Sequence, residues 1–412
     1  QMKKREYPIW MSICLFIVLM LVFSSKKQNS QLFFSVAFLL VLLIPSVSFF
    51  VKEDNIRLES EKRLGAGKPL AWNSTKELKK QTDDYLQDQF GGRQELITGW
   101  NILKILAYNQ TTGATAVKFG KDDWMFYTAE GVLELYENKT PIPEDSLRII
   151  CNVLEERREW LKLYGIDYYV TFPPLKHTMY PEFLPARIRK RNKESRQDQV
   201  LAYLKKHSSI KVIDLRPVLF EAKKKEKLPI YYSCDSHWNL LGGWYSSKEI
   251  INRINADHPE VGRSKERNDF EWVESMSTEG DLAKLLAINK YYLRPEIVSI
   301  PKSGYLAKSI DFEWNDSYEG IYEPMVQETG DTTKLKLLMN RDSFTNFLSP
   351  FMSEHFERST YLWTPLFCPN IIKAEQPDIV LTEMMERFIM DLTIENPPLV
   401  KQELARAKQR KK

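Results

Sequence analysis

Hydrophobic and charged positions divide the chain into two regimes. Pro8 to Ser24 and Leu32 to Val51 carry no charged residue, and only "SKKQNSQ" separates them. The first run, about 17 residues, sits at the short limit for a membrane span, and the second, about 20, is long enough. The pattern predicts two membrane helices, at about 8–24 and 32–51, forming an anchor over residues 1–51. A cleaved signal peptide is the other reading of the first run, but it exceeds a usual signal core and no A-x-A pattern follows. Orientation stays open, because Lys26-Lys27 in the connection compete with Lys3-Lys4-Arg5 at the terminus for the inner side.

Beyond Val51 the pattern becomes amphipathic. Residues 52–118 read as a helical neck, with helices around "STKELKKQTDDYLQDQF" and "RQELITGWNILKILAYN". "VKFGKDDWMFY" reads as a tight turn into an aromatic strand, with Gly120 and Asp122-Asp123 in the turn. A helical period then runs from Glu144 to Gly165 and passes into the strand "IDYYVTF". The basic helix "ARIRKRNKESRQDQVLAYLKKH" leads into the strand "IKVIDLR". Further on come "KLKLLMN" as strand, "SFTNFLSPFMSEHF" as helix, "TYLWT" as strand, and "PDIVLTEMMERF" as strand into helix. Such alternation predicts a three-layer α/β domain, here over residues 119–395. Residues 258–333 read as an irregular, charged insertion or lid, and 396–412 as a basic, loosely held tail.

Composition narrows the chemistry. The 412 residues carry a net charge of only +4, with no basic stripe interleaved with aromatics, so no nucleic-acid partner is expected. Ten tryptophans and nineteen tyrosines suit a large core and equally a surface that stacks on sugars. Beyond Cys14 the cysteines are Cys151, Cys234 and Cys368. No CxxC or His/Cys spacing is present, which argues against zinc, and at most one disulfide can form among the three.

One stretch concentrates reactive groups: "YYSCDSHWNLLGGWYS", from Tyr231. Its aromatics read as strand and its glycine pair as a turn or a close backbone approach, which puts Asp235 and His237 on a loop or strand end. They are either surface neighbours or two members of a Ser-His-Asp triad. In an extended segment residues i and i+2 point the same way, so Asp235 can hold one nitrogen of His237 while the other faces a nucleophile. Ser343, where an apolar strand gives way to a helix, is the candidate, with helix-start N–H groups available to an oxyanion. The alternative is that Asp342 or Ser343 simply caps that helix. Cys234 is a weaker nucleophile, since its side chain points away from His237 in an extended chain. A metal at Asp235 and His237 finds no second His or acid at ligand spacing nearby.

These blocks together resemble the AlgJ/AlgX-like (DHHW-type) SGNH-hydrolase-like proteins. "GKDDWMFY", "TFPPLKHTMYPEFLP", "DLRPVLFEAKKKEKLPIYYSCDSHWNLLGGWYS", "RDSFTNFLSPFMSEHF" and "PDIVLTEMMERF" fall in that family's order, over about Glu59 to Phe388. The resemblance implies an SGNH-hydrolase-like α/β/α fold in which Asp-His precedes Ser, the reverse of ordinary SGNH hydrolases. It implies O-acetylation of an exported or cell-surface polysaccharide, with a membrane-bound O-acyltransferase of the MBOAT class as acyl donor. It places the catalytic domain at the cell membrane on the extracytoplasmic side, requires no cofactor and no metal, and assigns Ser343 as nucleophile, His237 as base and Asp235 as its orienter. An acetylesterase with the same triad and a non-catalytic scaffold of a polysaccharide assembly complex are the rival readings. Arg341 stands where the family commonly has glycine, and keeps the scaffold reading alive or provides an anion contact. Lys176, Tyr180, Trp238 and Asn239 are substrate or oxyanion candidates. His177 reads as a polar loop residue, Glu383 and Arg387 as a salt bridge behind the site, and Trp124, Trp238 and Trp244 as core before sugar platforms.

Overall fold

The structure is a computed structural model that describes residues 38, 57–58, 63–64, 75–88, 93–108, 116–292, 294–311 and 321–410. Both apolar N-terminal runs, apart from Phe38, lie outside the described residues. Among the described residues no helix is long and apolar enough to cross a membrane.

The chain divides into two compact units, residues 1–115 with 283–292, and 116–282 with 293–412. The first contains helices α1 (Thr75–Asp88) and α2 (Arg93–Tyr108). Within it, Thr98 Oγ1 donates to the Ala287 carbonyl at 2.6 Å and Asn101 Nδ2 to that of Leu286 at 2.7 Å.

The second unit is the α/β domain. It opens with the hairpin β1 (Val117–Phe119) and β2 (Met125–Tyr127), turned by Asp122 and Asp123 at positive φ. The elements α3 (Glu144–Lys162), β3 (Asp167–Thr171), α4 (Arg196–His207), β4 (Lys211–Ile213), α5 (Arg216–Lys225) and α6 (Leu240–Asp257) follow. Next are the antiparallel pair β5 (Phe270–Ser277) and β6 (Arg294–Pro301), then β7 (Lys308–Ser309), β8 (Tyr322–Glu328) and β9 (Lys336–Arg341). Last come β10 (Arg358–Trp363), α7 (Pro369–Glu375), β11 (Ile379–Glu383) and α8 (Pro398–Arg410). The central sheet runs β4-β3-β11-β9-β10-β8-β7. Its first five strands are parallel, and β8 and β7 close one edge antiparallel.

Both faces are covered, which is why the strands read as nearly unbroken apolar runs. Tyr169, Met339, Leu381 and Tyr361 pack on one face with α6, and Tyr168, Val170, Leu338, Val380 and Leu362 on the other, with α3 and α4. This is the expected α/β layering, with differences in four places. The basic helix starts only at Arg196, where Ser195 and Asp198 form a reciprocal capping box. The segment read as an irregular insertion provides the β5–β6 pair and two strands of the main sheet. The helix expected after Ser343 is instead a 3₁₀ turn (Ser343–Phe347), four α-helical residues and a second short 3₁₀ turn. The C-terminal stretch is a helix held on α3, with Glu403 accepting from the Trp160 indole at 2.8 Å and Val400 buried.

Gly242 and Gly243 do not turn the chain; they lie in the first turn of α6 and let backbone come close. A Cβ at Gly242 would stand 2.4 Å from the Ile230 carbonyl oxygen, and one at Gly243 2.0 Å from that of Phe347. A helix-interior glycine is ordinarily about 1 kcal/mol worse than alanine. Here the sign reverses: Gly243→Ala is expected to lose about 2 kcal/mol or more through overpacking, read as the urea midpoint. A stabilised Gly243→Ala would contradict this packing of α6 on the Ser343–Phe347 turn.

Candidate active site

Backbone pairing builds the site before any side chain takes part. Tyr231 bridges Trp238 antiparallel, Tyr232 N–H donates to the His237 carbonyl at 3.2 Å and Asn239 N–H to that of Ile230 at 3.0 Å. The chain between is a short loop with pinned ends and Asp235 and His237 at its tip. The β2 edge supports it, since Met125 N–H donates to the Ser233 carbonyl at 2.7 Å. Asn239 then caps α6, its Oδ1 accepting from Leu241 N at 3.0 Å and Gly242 N at 3.1 Å.

Asp235 Oδ1 accepts from the backbone N–H of His237 at 2.9 Å and lies 2.6 Å from its Nδ1. His237 Nε2 lies 2.6 Å from Ser343 Oγ. Both readings of the serine turn hold, on different residues. Asp342 is the cap, its Oδ1 accepting from Phe344 N at 2.9 Å and its Oδ2 from Met385 N at 2.7 Å. Ser343, relieved of capping, turns its hydroxyl to the histidine. Glu383 braces the turn from β11, its Oε2 accepting from Asp342 N at 3.0 Å and Thr345 Oγ1 at 2.7 Å. Burial and the Asp342 charge push the Glu383 carboxyl well above its ordinary pKa.

Burial alone would lower the His237 pKa, but Asp235, with Asp281 and Asp342, outweighs it and the pKa is raised. Burial likewise opposes ionisation of Asp235, and the adjacent imidazolium still holds its carboxyl below the usual range.

Asp281 escaped the sequence reading. It lies in "STEGDLA", 46 residues beyond Asp235 and inside the charged stretch read as insertion. Its N–H donates to Asp235 Oδ2 at 2.9 Å, while its carboxylate accepts from Ser236 N at 2.8 Å and Ser236 Oγ at 2.6 Å. The Leu282 N–H donates to the Cys234 carbonyl at 3.0 Å, and Gly280 lies so close to Cys234 that a Cβ would be 2.0 Å from its Sγ. Residues 280–282 therefore lie along 234–236 like a strap. Gly280 before Asp281 was the available signal, a glycine marking close backbone approach. Asp235, His237 and Asp281 bring ligand atoms within 4.8 Å of one another, so an acid does lie near the pair in space. All four carboxylate oxygens already accept protons from Ser236, His237 or Asp281 N–H, and the donor set is satisfied as a hydrogen-bond network.

The other candidates have structural work. Lys176 is buried, its Nζ donating to the carbonyls of Tyr232, Ser233 and Asp235 at 2.9, 2.9 and 2.8 Å. Tyr180 is buried and its hydroxyl accepts from Ile230 N at 2.9 Å. Trp238 is fully buried, its indole donating to the Phe344 carbonyl at 3.0 Å. Arg341 is buried beside Trp363, 4.4 Å from guanidinium carbon to ring centroid, and donates to Asn346 Oδ1 at 2.8 Å and the Asp342 carbonyl at 3.2 Å. Lys176, Tyr180, Trp238, Asn239 and Arg341, the substrate or oxyanion candidates, here hold the loop, the helix start and the serine turn. Arg387 pairs with Glu130 at 3.0 Å rather than with Glu383. Trp124 and Trp244 are buried in the core. His177 is buried in a short helix, Lys176–Met179, and burial lowers its pKa to about 3. Cys151, Cys234 and Cys368 are free thiols, and Cys151 and Cys234 are buried.

A cleft of about 80 Å³ opens beside Asp235, walled by Tyr232, Ser277, Glu279, Gly280, Pro295 and Phe347. A largely parallel α/β sheet with Ser343, His237 and Asp235 in hydrogen-bonded line beyond its carboxyl edge defines the SGNH-hydrolase-like class.

Residues 117–309 match the family model described as "SGNH hydrolase-like domain, acetyltransferase AlgX". This segment, a little under half of the chain, is similar to the SGNH-hydrolase-like acetyltransferase domains that the model describes. The match takes in Asp235, His237 and Asp281 and ends before Ser343, so the serine rests on geometry. Solved structures similar to the chain include Bacillus cereus PatB1, 16% identical over 67% of this chain and 99% of that one, with TM-score 0.48. The O-acetyltransferase domain of Pseudomonas putida AlgJ is 16% identical over 70% and 98%, with TM-score 0.46. Pseudomonas aeruginosa AlgX is 16% identical over 72% and 69%, with TM-score 0.43. No curated protein sequence matches the chain.

A base acts through the neutral imidazole, so the raised His237 pKa puts the acid limb of kcat/KM above the ordinary histidine value of about 6.5. Asp281→Asn removes one of the charges that raise it and is expected to move that limb to lower pH, measured with p-nitrophenyl acetate. A limb that stays in place or moves up would show that Asp281 exerts no charge on the working histidine.

Proposed function

We propose that the protein transfers acetyl groups to hydroxyls of an exported or cell-surface polysaccharide through an acyl-enzyme on Ser343. The observation that carries this is the continuous line Asp235 Oδ1–His237 Nδ1 and His237 Nε2–Ser343 Oγ, each step 2.6 Å. In the proposed reaction His237 Nε2 takes the Ser343 proton as Oγ attacks the donor's acetyl carbonyl. Asp235 receives the Nδ1–H bond, fixes the tautomer and stabilises the imidazolium. The Ser343 N–H opens its turn, where a helix has no internal acceptor, and is the backbone donor for the oxyanion; the Phe344 N–H is committed to Asp342. The donor's leaving group departs with the proton from His237. A sugar hydroxyl then gives its proton to the same nitrogen and attacks acetyl-Ser343, which restores the serine.

Tyr232 and Phe347, with ring centroids 5.7 Å apart, give the cleft an aromatic wall suited to a sugar ring, which favours a sugar acceptor over water. A scaffold role is disfavoured by the aligned serine, and Arg341, which kept that role alive, folds back onto the turn. The two apolar N-terminal runs would hold the domain at the membrane on its extracytoplasmic side. There an MBOAT-class partner would supply the acetyl group.

Ser343→Ala and His237→Ala are each expected to lower p-nitrophenyl acetate turnover by about a thousandfold or more. Intact mass after brief exposure should show one acetyl adduct on the wild type and none on Ser343→Ala. Turnover that survives Ser343→Ala would remove the nucleophile from this scheme.

A further inference from the structure

A second groove lies on the face of the sheet covered by α3 and α8, with a volume of about 710 Å³. It falls in the size range of ligand sites, and its walls are mostly apolar, from Ile321, Leu366, Phe367, Ile371 and Ile394. Arg157 of α3 lines it while only 1% exposed. The Arg157 Nε donates to Asn396 Oδ1 at 2.8 Å, and the guanidinium carbon lies 5.4 Å from the Phe367 ring centroid.

What sets Arg157 apart is charge. Arg216 lies between Asp198 and Asp214, and Arg358 between Glu328 and Glu375. Among the described residues Arg157 has no carboxylate within ion-pair distance. Glu156, its neighbour in sequence, instead accepts from Asn396 Nδ2 at 3.1 Å. Glu395 on the rim pairs with Lys401 at 2.8 Å. Cys368, also on the wall, offers no anion either, because burial pushes its thiol up to about 11. A desolvated guanidinium without a counter-charge is costly to keep, and its planar fork matches a carboxylate in bidentate geometry.

We propose that this groove binds a small carboxylic acid with an apolar body, its carboxylate on Arg157 and its chain against Leu366, Phe367 and Ile394. The site is separate from Ser343, although one side chain ties the two regions: Asn340 Nδ2, on the strand leading to the serine, donates to the Leu366 carbonyl at 2.8 Å.

The test is titration calorimetry on the full chain with butanoate, pentanoate and hexanoate, and with 1-hexanol as the uncharged control. Saturable binding is expected for the acids, tightening roughly fourfold per methylene as each leaves water. The alcohol should bind at least about tenfold more weakly, since it forfeits the charge-assisted bonds. Arg157→Met is expected to fold, because it replaces a buried, unpaired charge by an apolar chain, and to lose hexanoate binding. Leu366→Asp, at a half-exposed rim position, keeps Arg157 and should also weaken hexanoate by introducing a like charge. Absence of saturable binding, equal binding of 1-hexanol, or hexanoate affinity unchanged in both variants would each overturn the proposal.

Discussion

One buried ammonium gathers the loop that carries Asp235 and His237. Lys176 sits at the start of a short helix after β3 and gives three of its hydrogen bonds to the carbonyls of Tyr232, Ser233 and Asp235. Trp124 and Phe126 lie 5.3 and 5.1 Å from its Nζ, so the aromatic hairpin cushions the charge the loop carbonyls solvate. Removing such a group from water costs several kcal/mol unless its hydrogen bonds are replaced. The loop therefore has to converge on it, and that convergence aims Asp235 and His237 outward. The short GKDDW turn matters for the same reason: it supplies the ring faces beneath the lysine and the Met125 N–H that shares the Ser233 carbonyl.

Ser343 is held by a different set of forces. Asp342 is saturated by Phe344 N–H and Met385 N–H, and Glu383, whose pKa burial and the Asp342 charge push up, closes the turn from the adjacent strand. Asp235 and His237 sit on a loop and Ser343 on the turn after a strand, and only a few contacts set the distance between them. The Trp238 indole reaches the Phe344 carbonyl, and Gly243 admits that of Phe347. Trp238 and Gly243 follow His237 within six residues, so the motif that presents His237 also contains the parts that dock it near Ser343.

This explains what was legible in the sequence. Parallel strands buried on both faces and amphipathic helices announce themselves by period, and a reactive motif with i, i+2 geometry can be read locally. Residues whose partners lie far along the chain could not be read. The Lys176 ammonium looks like a cleft-rim group until three carbonyls from a loop 56 or more residues away are seen to surround it. Arg341 looks like an intrusion until it folds onto Asn346. Strands β7 and β8 were hidden because edge strands of a sheet are more polar, and Asp281 because its role depends on lying beside residues 234–236 in space.

The strap of residues 280–282 also says how the site meets its surroundings. It saturates the outer oxygen of Asp235 with a backbone N–H, so the carboxylate that orients His237 needs no water for that role. Its flanking residues Ser277, Glu279 and Gly280 line the cleft beside Asp235. One segment thus fixes the acid from behind and walls the cleft in front of it. A bulkier wall at residue 280 would displace Cys234, and with it the neighbouring Asp235, because a Cβ there would stand 2.0 Å from the Cys234 Sγ.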